Sequence, residues 1–398
     1  MKPSSLKPQD AIADIAIEQA AIRLDRMQTE LRRGRPVVVV SADPAEPALL
    51  LAAVETLSAA RLRALAPWSA TPRLLLTAER LRAMKWSHAS GARSLLLSGA
   101  STVERLQRLA AVLPGATSAV EAADLVDMQA ASSALEGALT LTKRARLVPA
   151  LLVVELPAAA LRVLRQAEVH RVFDSDLIAA AGAEPGLAST LIRVGDAHVP
   201  IAASEDCTLL LFRESHGDAE HVAIVVGQPD LDRPVPVRLH SACLTGDLLA
   251  SLRCDCGDQL RQGIERLAKS GGILLYLAQE GRGTGLANKL RAYRLQDAGL
   301  DTIDADRYLG FSGDERDFAP AVEILKQLGV SAIQLLTNNP DKIAAMRKGG
   351  LEVVDRVALL SPVNPYNVRY VLTKQERAGH FAHAARARTT SDIVTPAV

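Results

Sequence analysis

The chain has 398 residues, 48% of them hydrophobic but only 3% aromatic, and a formal net charge of +1. That length suits two domains with cores built from Ala, Leu and Val, and the near-neutral charge excludes a global electrostatic case for binding nucleic acid or an anionic membrane, so any basic site must be local. Four cysteines are too few for a disulfide framework, no apolar run is long enough for a membrane span, and the N-terminus lacks the apolar segment of a secretory signal; the sequence reads as soluble and cytoplasmic.

Residues 1–12 are polar with two prolines and read as a loose tail. Ile15, Ile17, Ile22, Leu24, Met27 and Leu31 follow a helical period. Gly34 suits the left-handed position after that helix, and Pro36 cannot continue it. "VVVV" (Val37–Val40) is a buried strand, "DPAEP" a turn, and Leu49–Leu65 reads as a return to helix. "SLLLSG", "LVPALLVVELP" and "VHRVFDS" are short strands among helices, so residues 13–190 form an α/β domain. From "LIRVGDAHVPIA" the pattern turns β-rich: "TLLLFRES" and "HVAIVVG" flank a polar turn, and "VPVRLH" leads into "HSACLTGDLLASLRCDC". Strand "GILLYL", glycine loop "AQEGRGTG" and helix "LANKLRAYRLQDAG" follow, then helix "AVEILKQLGV", strand "AIQLLT" and a helix starting at "NNPDK", with Asn339 as cap and Pro340 in the first turn. This gives an α/β (α+β) protein of two domains, the second spanning 191–380 with a mixed sheet and helices. Residues 381–398 read as a disordered tail.

Three of the four cysteines, Cys243, Cys254 and Cys256, fall at spacings of eleven and two residues. In an extended segment Cys254 and Cys256 would point to one side, and the short helical stretch between would fold Cys243 back to them. Three thiolates leave one tetrahedral position open, as in a catalytic zinc site, where zinc lowers the pKa of water. The polar setting "RCDCGD", with Arg253 to favour thiolates, argues against ordinary buried cysteines, and C-x-C is not the usual redox spacing. Cys207, in "EDCTLLLF", reads as packing.

Gly281, Gly283 and Gly285 let backbone approach a ligand, and the helix after them suits a phosphate, with Arg282, Lys289 and Arg291 adding charge. The loop matches neither the Walker nor the dinucleotide fingerprint, so it can equally be a plain turn. Asp314, Glu315, Arg316 and Asp317 form a polar run that can handle protons and phosphate charge together, or a solvated turn. Thr337 ends a strand and Lys342 lies in the next helix, where α/β sites commonly form. Tyr293 alone would be half-buried packing.

Taken together, "RLHSACLTGD", "SLRCDCGDQL", "QEGRGTGLANKLRAYRLQDAGLDT", "LGFSGDERDF" and "LLTNNPDK" resemble the GTP cyclohydrolase II family of riboflavin biosynthesis, in order and spacing, across about residues 195–380. The resemblance implies that Cys243, Cys254 and Cys256 bind one zinc per subunit, with Mg²⁺ on the triphosphate. It implies opening of the guanine imidazole ring of GTP with release of C8 as formate, loss of pyrophosphate, and a diamino-ribosylamino-pyrimidinone 5′-phosphate product. Arg316 matches the family's proposed nucleophile at the α-phosphorus, Asp314 its proton acceptor, and Tyr293 a tyrosine of the ring-opening step. A guanidinium with a pKa above about 12 is a poor nucleophile, so stabilising phosphoryl charge is the easier role for Arg316. Substrate contacts carried over from the family fall on Arg238, Leu239, His240, Ser241, Ala242, Gln259, Glu280, Gly281, Arg282, Thr302, Thr337 and Lys342. A homodimer is implied, with no nucleic-acid or membrane partner. The chain departs from the family at Ala242, where Glu is common, and in "EGRGTGL" for "EGRNIGL".

The front of the chain resembles dihydroxybutanone-phosphate synthase in "AAIRLDRMQTELRRGRPVVVV" and "TKRARLVPALLVVELP". Where that family has an acidic, magnesium-binding loop this chain has "SADPAEPALLL", which implies a degenerate domain kept for folding, dimerisation or regulation. Three other readings stand beside the cyclohydrolase: a bifunctional enzyme, a weakly catalytic zinc- and nucleotide-binding regulator, and a cyclohydrolase that stops at a formylated intermediate. Formate release and turnover separate them.

Overall fold

The structure is a computed structural model that describes residues 8–68, 71–86, 90–98, 102–114, 125–182 and 191–381, with side chains from Ile15 onward. The chain packs into two compact units. The first takes in the described residues up to Gly182 together with Leu290–Arg294 and Asp304–Glu315; the second holds the remainder from Leu191.

The first unit contains α1 (Pro8–Arg32), β1 (Val37–Val40), β2 (Ala48–Ala53), α2 (Ala59–Leu65), β3 (Arg73–Leu76), α3 (Ala78–Ala83), β4 (Arg93–Leu97), α4 (Val103–Leu109), β5 (Leu125–Ala130), α5 (Ser133–Arg144), β6 (Ala150–Leu156), α6 (Ala158–Gln166), β7 (Arg171–Phe173) and α7 (Asp174–Gly182). Its seven strands run in the order β5-β4-β3-β6-β2-β1-β7, antiparallel except for the β1–β7 pair. Alternation along each strand sends side chains to opposite faces. Val38, Leu50, Leu74 and Leu152 join a core with Leu65, Leu81 and Leu106 of α2, α3 and α4. Val37, Val39, Leu51 and Leu151 join a second core with Met27 and Leu31 of α1 and Leu135 and Leu139 of α5.

Two expectations change here. Helix α1 begins at Pro8, inside the stretch read as a tail; residues 1–7, like 382–398, lie outside the described residues. Leu49–Leu65 is not one helix: Ala48–Ala53 is a central strand pairing Leu51 with Val37 on one side and with Val153 on the other, and only Ala59–Leu65 is helical, capped by Ser58. A short apolar run buried on both faces carries no periodicity that separates strand from helix.

The second unit contributes β8 (Leu191–His198), β9 (Cys207–Glu214), β10 (Glu220–Val226), β11 (Val235–Ser241), α8 (Cys256–Ser270), β12 (Gly272–Leu277), α9 (Leu286–Asp297), α10 (Thr302–Tyr308), α11 (Ala319–Gln327), β13 (Ala332–Leu336), α12 (Pro340–Lys348), β14 (Glu352–Val357) and α13 (Val368–Glu376); the middle of α9 and most of α10 belong to the first unit. The sheet order is β14-β13-β11-β12-β10-β9-β8. Strands β14, β13, β11 and β12 are mutually parallel, and β10, β9 and β8 add antiparallel. Ala321, Ile324 and Met346 of α11 and α12 pack on one face with Val237, Leu239 and Leu275. On the other face, Leu267 of α8 packs with Leu274, Leu336, Val226 and the fully buried Cys207. Among the described residues no helix is long and apolar enough to cross a membrane.

Candidate functional site

Parallel strands align their C-terminal ends, and ligands of α/β sheets gather there. Three such ends lie side by side in the second unit. Cys243 follows β11, the segment Gln279–Gly285 follows β12, and Thr337–Lys342 follows β13.

After β11 the chain makes a π-helical turn, Leu244–Leu248, and reaches α8 at Cys256. Cys254 and Cys256 therefore flank the start of a helix, with Asp255 at the cap, instead of lying in the extended segment expected. The helix N-terminus favours a thiolate at this point. The sulfurs of Cys243, Cys254 and Cys256 lie within 4.8 Å of one another, and this is the one group of three metal-ligating side chains among the described residues. The Cys243–Cys254 sulfur distance is 3.7 Å, close to the ~3.8 Å that two sulfurs ~2.3 Å from one tetrahedral zinc would have. Glycine makes the convergence possible. A Cβ on Gly246 would meet Cys254 Sγ at 2.8 Å and Cys256 Cβ at 2.9 Å, and one on Gly257 would meet the Gly246 carbonyl oxygen at 2.2 Å. The donor set and the cradle fit a divalent metal with a preference for sulfur.

Cys243 is held well below the ordinary thiol range by hydrogen bonds from Cys254 and Cys256 and by Lys289. Its neighbour Cys254 is pushed up to about 11 by the Cys243 thiolate, and Cys256 is raised by both sulfurs and by burial. Arg253 pairs with Asp297 at 2.6 Å. Lys289 Nζ donates to Cys243 Sγ at 3.0 Å and to Glu280 Oε1 at 2.9 Å. Glu280 also accepts from the Leu244 amide at 2.6 Å, tying the glycine segment to the cysteine turn.

Several residues on which sequence reasoning placed no weight organise this turn. Asp247 accepts from the Cys243 amide at 2.9 Å, from Tyr276 Oη at 3.0 Å and from His240 Nε2 at 3.0 Å. Burial keeps His240 neutral by lowering its pKa, and its ring stacks on Tyr276 with centroids 5.6 Å apart. Asp255 accepts from Gln259 Nε2 and from Lys374 Nζ, each at 2.7 Å. Their signal was present in the sequence, as acids inside the cysteine motifs, but short polar turns are full of such acids.

Of the other residues singled out, Arg238 is buried, donates to the Leu336 carbonyl at 2.9 Å and to Gln259 Oε1 at 2.7 Å, and has its pKa lowered to about 10 by burial. Leu239 is fully buried in the core, and its carbonyl accepts from Lys342 Nζ at 2.7 Å. Ala242 bonds its amide to the Leu277 carbonyl at 2.8 Å. Buried polar atoms without partners cluster at these strand ends: Arg238 Nε, His240 Nδ1, Ser241 Oγ and Gln279 Oε1. Gly281 and Arg282 both adopt left-handed backbone, φ 63° and 59°, a conformation costly for arginine and typical of ligand-binding turns. Thr337 is buried and accepts from the Asn339 amide, while Asn339 caps α12. Thr302, half-exposed, opens α10. Arg316 and Lys342 lie 5.3 Å and 5.7 Å from the Phe318 ring. The half-buried Tyr293 and the exposed Asp314 belong to the first unit, on Leu290–Arg294 and Asp304–Glu315.

The sequence profile of the GTP cyclohydrolase II family matches residues 192–358. A GTP cyclohydrolase-2 of Azospirillum brasilense is 39% identical over 383 residues, covering 95% of this chain and 98% of that protein. Another, from Xylella fastidiosa, is 38% identical over 364 residues, 91% of this chain and 87% of that protein. The riboflavin biosynthesis protein RibBA of Thermotoga maritima is 54% identical over 168 residues, 42% of this chain and 43% of that protein. Among solved structures, a two-domain 3,4-dihydroxy-2-butanone 4-phosphate synthase from A. baumannii aligns at 17% identity over 85% of this chain and 100% of that chain, with a TM-score of 0.31, too low to speak to shared architecture. Identity of 39% sustained over nearly the whole of a relative, together with the profile match on the unit that carries the three cysteines, places this chain in the GTP cyclohydrolase II family, hydrolases of riboflavin biosynthesis that act on GTP.

Proposed function

We propose that Cys243, Cys254 and Cys256 hold one zinc ion, and that the enzyme converts GTP to 2,5-diamino-6-ribosylamino-4(3H)-pyrimidinone 5′-phosphate with release of formate and pyrophosphate. The observation that carries the reading is the convergence of three sulfurs within 4.8 Å around a glycine cradle. Zinc bound there supplies a Lewis acid that brings the pKa of water near neutrality. Lys289, on Cys243 and Glu280, fixes the first ligand and the glycine segment against each other. Arg282, Arg316 and Lys342 neutralise the charge of the triphosphate that Mg²⁺ leaves, and Arg316 stabilises the phosphoryl group in transfer. Asp314 accepts the proton of the attacking group at phosphorus, and Tyr293 moves a proton during ring opening. The buried orphan atoms of Arg238, His240, Ser241 and Gln279 are donors and acceptors available to the substrate. The enzyme works as a cytoplasmic homodimer.

The test is formate and pyrophosphate release from GTP with Mg²⁺, for wild type and Cys254→Ser, with zinc content measured on both. Release of both products by wild type, lost with the zinc in the variant, is the expected result. Zinc and GTP binding without turnover would instead support a regulatory protein, the reading that Ala242 favours. For the first unit we propose a synthase-like domain without synthase activity; butanone-phosphate formation from ribulose 5-phosphate would overturn that.

A further inference from the structure

The profile match ends at residue 358, yet the chain beyond it returns to the strand ends. Asn367, fully buried, exchanges hydrogen bonds with Asn364 and starts α13. From α13, Lys374 Nζ reaches Asp255, between two of the cysteines, at 2.7 Å. Past α13 the His380 amide donates to the Lys374 carbonyl, and the Phe381 amide donates to the carbonyl of Asn338 after β13, both at 3.0 Å. The segment is thus pinned to the cysteine turn at one point and to the loop after β13 at the other.

Two aromatic rings here each carry two cations. Lys374 and Arg282 lie 4.1 Å and 5.9 Å from the ring of Tyr370, and Arg316 and Lys342 share Phe318. All belong to the second unit. Cation–π contact orients these groups. His380 registers the result: burial, then Lys374, Arg316, Arg282 and Lys342, lower its pKa to about 3. Lys374, paired with Asp255 at 2.7 Å, and Arg282 thus share one ring, Arg316 and Lys342 another, and the His380 imidazole between the two pinned ends keeps a ring N–H to donate to an anion.

We propose that Val368–Phe381 is a phosphate-binding part of the substrate site, in which His380 and Lys374 join Arg282, Arg316 and Lys342 around the triphosphate of the nucleotide. This rests on GTP being the substrate, and it adds residues that neither the family profile nor the motif reading reaches. Tyr370 serves as a positioning residue that aims Arg282.

The experiment is calorimetric titration of the full-length, zinc-loaded protein with GTP and with guanosine 5′-monophosphate, for wild type, His380→Ala, Lys374→Met and Lys374→Arg. His380→Ala and Lys374→Met are expected to weaken GTP by about tenfold or more, the scale of one lost charge-assisted contact, while the monophosphate changes by less than about twofold. Lys374→Arg should recover most of the loss, and zinc content should stay at the wild-type level in His380→Ala. Unchanged GTP affinity in His380→Ala overturns the proposal. So does equal weakening of both nucleotides, which would mean general support of the pocket. If Lys374→Met loses its zinc through Asp255, His380→Ala alone decides. Wild type that binds GTP without releasing formate would sink the proposed reaction but not this subsite; normal turnover with unaffected variants would sink the subsite alone.

Discussion

Asp247 is the residue on which the geometry of the first cysteine depends. Its carboxylate is 7% exposed and accepts from a backbone amide, a phenol and an imidazole. An amide in its place can accept at only one atom and would set an N–H against one of those donors. Asp247→Asn should therefore lower thermal stability by about 1–3 kcal/mol, the cost of leaving buried groups unpaired. Because the Cys243 amide is one of the three donors, zinc affinity should fall by roughly 10–100-fold, as for other groups that orient metal ligands. Chelator competition on wild type and variant measures this; unaltered zinc affinity would reduce Asp247 to a packing role. Ala242 sits one residue before the same cysteine, with its amide on the Leu277 carbonyl. Ala242→Glu restores the residue common in the family, and formate release by the variant should equal or exceed that of wild type; a loss would show that this turn has adapted to the smaller side chain.

At the scale of elements, the site depends on the approach of the π-helical turn Leu244–Leu248 to the N-terminus of α8. Gly246 and Gly257 form that contact, and any Cβ would force them apart by more than side-chain adjustment can absorb, because the obstacle at Gly257 is backbone. Gly257→Ala should thus separate Cys256 from Cys243 and lower zinc stoichiometry below one per chain, with a loss of about 1–3 kcal/mol from overpacking. Full zinc loading in that variant, measured by metal analysis after dialysis, would show the cradle to be more compliant than its distances suggest. Much of this element was legible in advance. Cysteine spacing pointed to the meeting of three sulfurs, the strand–glycine loop–helix order located the second loop, and Asn339-Pro340 marked the start of α12. The rest was not, for physical reasons. Ala48–Ala53 is apolar on both faces and so has no period. The contacts from Lys289 to Cys243 and from Lys374 to Asp255 span 46 and 119 residues, and one sequence carries no sign of which polar side chains meet across such separations. The direction of Arg253 also could not be read, since a neighbouring position in sequence says nothing of which acid a long side chain will find.

On the scale of the whole molecule, the first unit does more than complete its own cores. It takes in Leu290–Arg294 and Asp304–Glu315, the segments with Tyr293 and Asp314. Within that unit Glu55 accepts from Arg291 at 2.9 Å and from the Val148 amide at 2.7 Å. Thr77 Oγ1 donates to the Gly310 carbonyl, Arg80 donates to the carbonyls of Tyr308 and Leu109 while lying 4.4 Å from the Tyr308 ring, and Lys143 pairs with Glu315 at 2.8 Å. Glu315 in turn accepts from the Ser312 amide, closing the turn in which Asp314 lies. These bonds hold the turn against the helices and strands of the first unit. Lys143→Met tests this. The pair is only partly buried, so the stability cost should be small, about 1 kcal/mol or less. If Asp314 has the proposed role, the loosened turn should lower kcat severalfold, while zinc content holds, since the three cysteines proposed to bind it lie in the second unit. Lys143→Arg, which can still reach Glu315, should recover kcat. A kcat unchanged in Lys143→Met, or lost equally in Lys143→Arg, would mean that the first unit does not set the position of Asp314 through this pair.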